Sequence, residues 1–175
     1  MYRKFLTICL LPLLLLFPAC KAENRINYLS HQTYPYHTQG VLTYDGTEYE
    51  VLVSARQAGD ILLQILRPDV LAGAVFELRE GEVIVSCGTL TENWEDGGYA
   101  AEEGILLASR IFSLSESDYS GAGVKQENGV SYSYATFRVE GGTVSVYRQE
   151  GLSEPSHITA ELNEHTLSFR YMNES

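Results

Sequence analysis

The chain has 175 residues, with 12 Lys+Arg against 23 Asp+Glu and a formal net charge of −11, a balance that repels phosphate backbones and speaks against a nucleic-acid role. At 45% hydrophobic and 20% charged it is long enough for one domain with a real core and too apolar for wholesale disorder. Twelve Tyr, six Phe and 15 Gly point to strands and tight turns rather than a helical bundle.

Tyr2-Arg3-Lys4 precedes an apolar run from Phe5 to Phe17, and Pro18-Ala19-Cys20 follows. A basic start and about a dozen apolar residues make a secretory signal that is too short to span a bilayer. We expect residues 1–19 to be the signal peptide, 20–37 a tether and 38–175 the folded domain. Phe17, Pro18, Ala19 and Cys20 resemble the end of a bacterial lipobox, with Phe17 where Leu is usual and Pro18 where Ala or Ser is usual. The resemblance implies lipidation at Cys20 through a diacylglycerol thioether, with palmitate-type chains holding the protein on the extracytoplasmic face of the cell membrane. Each buried methylene contributes about 0.8 kcal/mol to such an anchor. Ordinary cleavage after Ala22 is the competing reading.

Of the three cysteines, Cys9 leaves with the signal and Cys20 takes the lipid, so Cys87 has no intramolecular partner in the lipidated form. Without acylation a Cys20–Cys87 pairing comes into play. Between Val85 and Gly88, Cys87 reads as a small buried hydrophobe. Tyr28, Tyr34 and Tyr36, with Pro35, fall in the tether and read as an extended linker.

Hairpins follow. Strands at 40–44 and 47–55 flank Asp45-Gly46, a strong two-residue turn. It pairs Leu42 with Tyr49 and Gly40 with Val51, and places Leu42, Tyr44, Tyr49, Val51 and Val53 on one face. The strand at 60–67 carries Ile61, Leu62, Leu63, Ile65 and Leu66 on both faces, so we expect it to be covered on both sides. Strands at 74–79 and 82–87 turn at Glu80-Gly81, setting Phe76 opposite Val85 and Leu78 opposite Val83.

Between 99 and 115 the period changes: Ala101, Ile105, Ala108 and Phe112 recur at helical spacing, with Gly104 costing about 1 kcal/mol relative to Ala. Residues 91–98 and 115–129 read as polar loops around this helix. Strands at 131–140 and 143–149 turn at Gly141-Gly142, pairing Val139 with Val144 and Phe137 with Val146. Tyr132, Tyr134 and Tyr147 fall on the face away from Phe137 and form a candidate partner surface. Strands at 156–162 and 165–172 turn at Asn163-Glu164, pairing Ile158 with Phe169 and Ala160 with Leu167.

These elements predict an α+β, mainly β fold: a curved antiparallel sheet, a half-barrel of about nine strands, with one principal helix on its concave face. A helix of about 16 residues is only about 24 Å long and covers part of such a sheet. The uncovered part is a candidate ligand cavity, lined by Leu42, Val51, Leu63, Phe76, Val85, Phe112 and Phe137.

The successive hairpins, the reversal Arg67-Pro68-Asp69-Val70-Leu71-Ala72-Gly73, the late helix and the closing hairpin at 155–171 resemble the LolA/LolB-like superfamily. The resemblance implies a half-barrel with an apolar concavity capped by helices. Its members carry lipoproteins or bind lipids, and others act as envelope or spore-germination lipoproteins through protein partners. The long N-terminal helix of the carriers is reduced here to a turn or two at 23–29. No catalytic or cargo-contact residue is carried over.

Catalytic signatures are missing from the sequence. His31, His37, His157 and His165 stand in no metal-ligand spacing, no Gly-x-Ser-x-Gly elbow occurs, and Ser120-Gly121-Ala122-Gly123 lacks the Lys-Ser/Thr of a phosphate loop. Glu95-Asp96 and Glu102-Glu103 are adjacent acids, which on a helix point about 100° apart and read as solvated. No enzyme activity and no cofactor are expected. Two functions stay open: a membrane-anchored lipoprotein holding a lipid or other apolar ligand in the concavity, and a ligand-free scaffold of the same fold binding an exported protein partner.

Overall fold

The Asp45-Gly46 turn takes positive φ at both residues, 44° and 82°, the conformation that matches the twist of two flanking strands. It fixes the expected pairs Leu42–Tyr49 and Gly40–Val51. The computed structural model describes residues 26–29, 32–80, 82–94 and 100–172. The expectations for Cys20, the signal peptide, His31, Glu95 and Asp96 lie outside these residues.

The chain forms α1 (Ile26–Leu29), then β1 (Tyr36–Tyr44), β2 (Thr47–Gln57), β3 (Asp60–Arg67), β4 (Ala74–Arg79), β5 (Glu82–Cys87) and β6 (Leu90–Trp94). After α2 (Ala100–Ile111) come β7 (Tyr119–Glu127), β8 (Val130–Val139), β9 (Gly142–Gln149), β10 (His157–Leu162) and β11 (His165–Tyr171). All eleven strands join one curved sheet in the order β6-β5-β4-β3-β2-β1-β11-β10-β9-β8-β7, every neighbouring pair antiparallel. The first six strands walk outward from β1, and the last five walk back until β11 pairs with β1. The stretch carrying α2 therefore joins one edge of the sheet to the other, and α2 packs against β4, β5 and β10.

Alternation decides which side the helix covers. Leu42, Val51, Val53, Leu63, Phe137, Val144, Ile158 and Phe169 are buried beneath it, with Leu107, Ala108, Ile111 and Phe112 supplying the helical side. Phe112 meets Phe169 edge to face at 5.0 Å, and each such ring contributes roughly 1.5–3 kcal/mol through burial. Gly40 is required where the sheet closes on itself. A Cβ there would overlap both the Phe169 ring and the Arg170 carbonyl oxygen, so only glycine lets β11 approach β1 this closely.

The fold class is as expected, with eleven strands instead of nine. Residues 91–98 and 115–129 are not simply loops, because they hold β6 and β7, the two edges. The β8–β9 turn falls at Glu140-Gly141, so Val139 pairs with Gly142, Phe137 with Val144 and Ala135 with Val146. That is a two-residue shift, which keeps every side chain on its expected face. The helix has 12 residues instead of spanning 99–115. On β3, Ile61, Leu63 and Ile65 are buried while Leu62 and Leu66 stay partly exposed, so the strand is not sealed on both sides. Cys87, at the outer end of β5, is exposed rather than buried.

Among the described residues of the segment expected as tether, several pack on the sheet and helix. Tyr28, Gln32 and Tyr36 are buried. The Gln32 amide donates to Ile111 O at 2.9 Å and accepts from Leu114 N at 3.1 Å. Tyr36 and Tyr34 both donate to Phe112 O, at 2.8 and 3.2 Å. A helix end leaves its last carbonyls unpaired, and this strap supplies donors to two of them. Burial pushes both phenols above their ordinary pKa, keeping them neutral donors.

Candidate functional site

The candidate cavity residues divide into two groups. Leu42, Val51, Leu63, Phe112 and Phe137 are buried in the core. The five share one buried cluster with Leu107, Ala108 and Ile111 of α2. Phe76 and Val85, opposite one another on β4 and β5, stay partly open to solvent. Phe76 packs against the edge of the core, so burial of the concave face is less complete at the β4–β5 end.

The three candidate partner-surface tyrosines also converge, on the other face of the sheet. Tyr134 and Tyr147 are opposed across β8 and β9, with ring centroids 5.4 Å apart. His157 of β10 stacks on Tyr147 at 4.4 Å and nearly parallel, and Tyr132 meets His157 edge-on at 5.3 Å. At the outer margin Lys125 sits 5.7 Å from the centre of the Tyr147 ring and pairs with Glu127 at 3.1 Å. Glycine at 123 makes room for the layer: a Cβ there would lie 2.7–2.9 Å from Tyr134. Tyr134 thus lies over Gly123 and shields the bare backbone of the edge strand. Burial holds His157 below the ordinary imidazole range, against the opposing pull of Glu127. Its inclusion was missed because the pairing of β9 with β10, which brings it under Tyr147, spans no short turn.

No protein-family model matches this sequence, and no curated protein sequence does. Solved structures do. The mycobacterial lipoprotein LppX (Mycobacterium tuberculosis) is 12% identical, with 83% of this chain and 90% of that one covered and a TM-score of 0.44. A LolA superfamily protein from Nitrosomonas europaea is 10% identical over 87% and 91%, with a TM-score of 0.44. A DUF1329 family protein from Desulfovibrio piger is 8% identical over 85% and 88%, with a TM-score of 0.47. The site is therefore read from its own residues.

In this curved sheet a second polar cluster sits where two turns meet α2. His165 Nδ1 lies 2.6 Å from Asp45 Oδ2, and its Nε2 lies 3.7 Å from Glu103 of α2. Tyr44 stacks on the imidazole at 5.2 Å, and Asp45 Oδ1 accepts from Thr166 N at 2.9 Å. The hydrogen bond to Asp45 raises the His165 pKa, and the same bond lowers that of Asp45. The sequence hints at this cluster only through the two turns, since nothing in it places Glu103 beside them. The cluster joins the β1–β2 turn, the β10–β11 turn and the helix. Among the described residues no group of three or more His, Cys, Asp or Glu is arranged to hold a metal ion, and no helix is long and apolar enough to cross a membrane.

Proposed function

We propose that the chain is an exported protein, tethered to the membrane through lipid on Cys20, that holds an apolar ligand against the concave face of its half-barrel without catalysis. The observation that carries this reading is the partial exposure of Phe76 and Val85 on a face whose other members are buried under α2. Apolar side chains left accessible on the inner face of a sheet lose water when an apolar ligand covers them, at about 25 cal/mol per Å2. The entrance is at β4–β5, and the rest of the candidate lining serves as its packed floor. Native mass spectrometry of the intact protein, extracted gently from membranes, tests the reading. A co-purifying apolar species is expected, and Phe76→Asp is expected to abolish it. A bare protein mass under several extraction conditions would overturn the proposal.

The ring layer of Tyr132, Tyr134, Tyr147 and His157 favours a second reading, a scaffold that docks an exported protein partner on its convex face. Half-exposed aromatic side chains are over-represented where proteins meet. Crosslinking on native membranes should recover one reproducible partner, lost on Tyr147→Ala. Recovery of none would remove this reading.

A further inference from the structure

Arg148 on β9 is distinctive among the basic side chains. Of the others described, Arg56, Arg67, Arg110 and Lys125 each pair with a carboxylate, while Arg79, Arg138 and Arg170 are exposed. Among the described residues, Arg148 alone is withdrawn from full solvent exposure with no carboxylate in ion-pair range. Desolvating a cation without a partner is unfavourable, and in a chain with 23 acids a partner was readily available to evolution. The guanidinium lies 5.2 Å from the centre of the Tyr28 ring, an interaction that positions it without neutralising it. The hydroxyl of Tyr28, itself only 3% exposed, has no hydrogen-bond partner.

The register explains how this cation comes to line a cleft. Along β8 and β9 the pairs Phe137–Val144 and Ala135–Val146 are buried on the concave side, and the next pair on that side is Ser133–Arg148. The concave face thus turns from apolar to polar within one pair. There it opens into a cleft of about 230 Å3 whose lining includes Val124, Ser131, Ser133, Arg148 and Leu152. Val124 and Leu152, 71% and 48% exposed, are apolar side chains left open to water. Glu150 also lines the cleft, on its exposed side and outside ion-pair distance of Arg148.

We propose that this cleft binds the anionic end of an amphiphile. Its carboxylate or phosphate accepts hydrogen bonds from the Arg148 guanidinium and the Ser131 hydroxyl, and from the Ser133 hydroxyl once it turns from the Arg148 carbonyl to which it donates at 3.5 Å, and the start of its apolar chain rests on Val124 and Leu152. Guanidinium presents a planar fork that matches both anions. The assignment is independent of the apolar-ligand reading, because the cleft lies on β7–β9 and Phe76 and Val85 lie on β4–β5. Either can fail without the other.

Isothermal titration of the full chain with hexanoate, hexyl phosphate, hexanol and inorganic phosphate tests the proposal. Saturable binding of at least one of the two amphiphilic anions is expected, and the tighter of them names the headgroup chemistry. Hexanol should not bind, and inorganic phosphate should bind at least tenfold more weakly than the amphiphile. Arg148→Gln should weaken binding at least tenfold, and Arg138→Gln, at an exposed arginine, should leave it unchanged. Circular dichroism checks that the variants are folded, and the double change Ser131→Ala with Ser133→Ala, which leaves the Tyr28 contact intact, should weaken binding several-fold. Absence of saturable binding by both anions, or binding that Arg148→Gln and the serine variant leave intact, would overturn the site. Inorganic phosphate binding as tightly as hexyl phosphate would overturn the amphiphile assignment.

Discussion

Gln32 holds the C-terminal end of α2 by donating to Ile111 O at 2.9 Å across 79 residues of sequence, while its own side-chain oxygen accepts from Leu114 N. The glutamine is only 5% exposed, so water has little access to replace either bond. Gln32→Ala leaves a carbonyl and an N–H without these partners, and each buried group left unsatisfied costs about 1–3 kcal/mol. A loss of about 2–4 kcal/mol is expected in urea unfolding. Amide exchange should quicken first at residues 111–114, because the strap acts there.

Two glycines in this molecule should respond to alanine with opposite signs. At Gly40 a Cβ would overlap the Arg170 carbonyl, which is backbone and cannot swing aside. Gly40→Ala should therefore cost about 2–3 kcal/mol or more by overpacking the β1–β11 seam. In α2, a Cβ at Gly104 would meet the Tyr44 ring at 3.5 Å, an ordinary contact. Gly104→Ala should stabilise the protein by up to about 1 kcal/mol, since alanine restricts the unfolded chain and favours the helix. Thermal unfolding of the two variants beside the parent checks both signs.

Removing rings should separate the packed middle of the concave face from its β4–β5 end. Phe112 is 1% exposed and packs edge to face on Phe169, so Phe112→Ala should cost about 3–5 kcal/mol. Phe76 is partly open, and Phe76→Ala should cost about 1–2 kcal/mol, since it gives up less buried area. Chemical denaturation of both variants measures the difference. Equal costs would mean that Phe76 is sealed as deeply as Phe112.

The reach of sequence reading follows the same physics. Leu42, Val51, Phe76, Val85, Ile158 and Phe169 were placed on their correct face because turn geometry and alternation agree at each hairpin. The edge strands escaped because an edge is paired on one side only and need not alternate. Ser120, Ala122, Lys125, Gln126 and Glu127 of β7 read as loop, although Asn128-Gly129, with φ of 50° and 80°, is a strong hairpin signal and marks the strand. Alternation also tells which face a residue takes and not how deeply it is covered, and Val51 and Phe137 prove to be fully enclosed in the core cluster. The strap was hidden for a related reason. Tyr28 and Gln32 bond and pack against residues far along the chain, and nothing local distinguishes them from a solvated linker. Arg148 stands apart only once the partners of every other cation are known.

The cluster at the meeting of the two turns should make stability depend on pH in a defined window. His165 has its pKa raised above the ordinary 6.5, chiefly by the hydrogen bond to Asp45. A group whose folded pKa is raised stabilises fully below its unfolded value, and the contribution fades as pH rises through the folded value. Asp45 is shifted the other way, below its ordinary 3.8, chiefly by the same bond. Its contribution is present above 3.8 and fades as pH falls through the lowered value. The pair therefore stabilises most between about pH 4 and pH 6.5, and it is lost on either side. Asp45 is exposed and His165 partly so, so the effect is modest and screened by salt. Melting temperatures of the parent and His165→Gln, taken from pH 3 to pH 9 at low ionic strength, should differ most near pH 5 and converge toward pH 9. Asp45→Asn should give the same profile, and adding either change to the other should do little more, since both remove one interaction. A gap between parent and variant that stays constant across this range would show that the Asp45–His165 contact carries no charge-dependent stability.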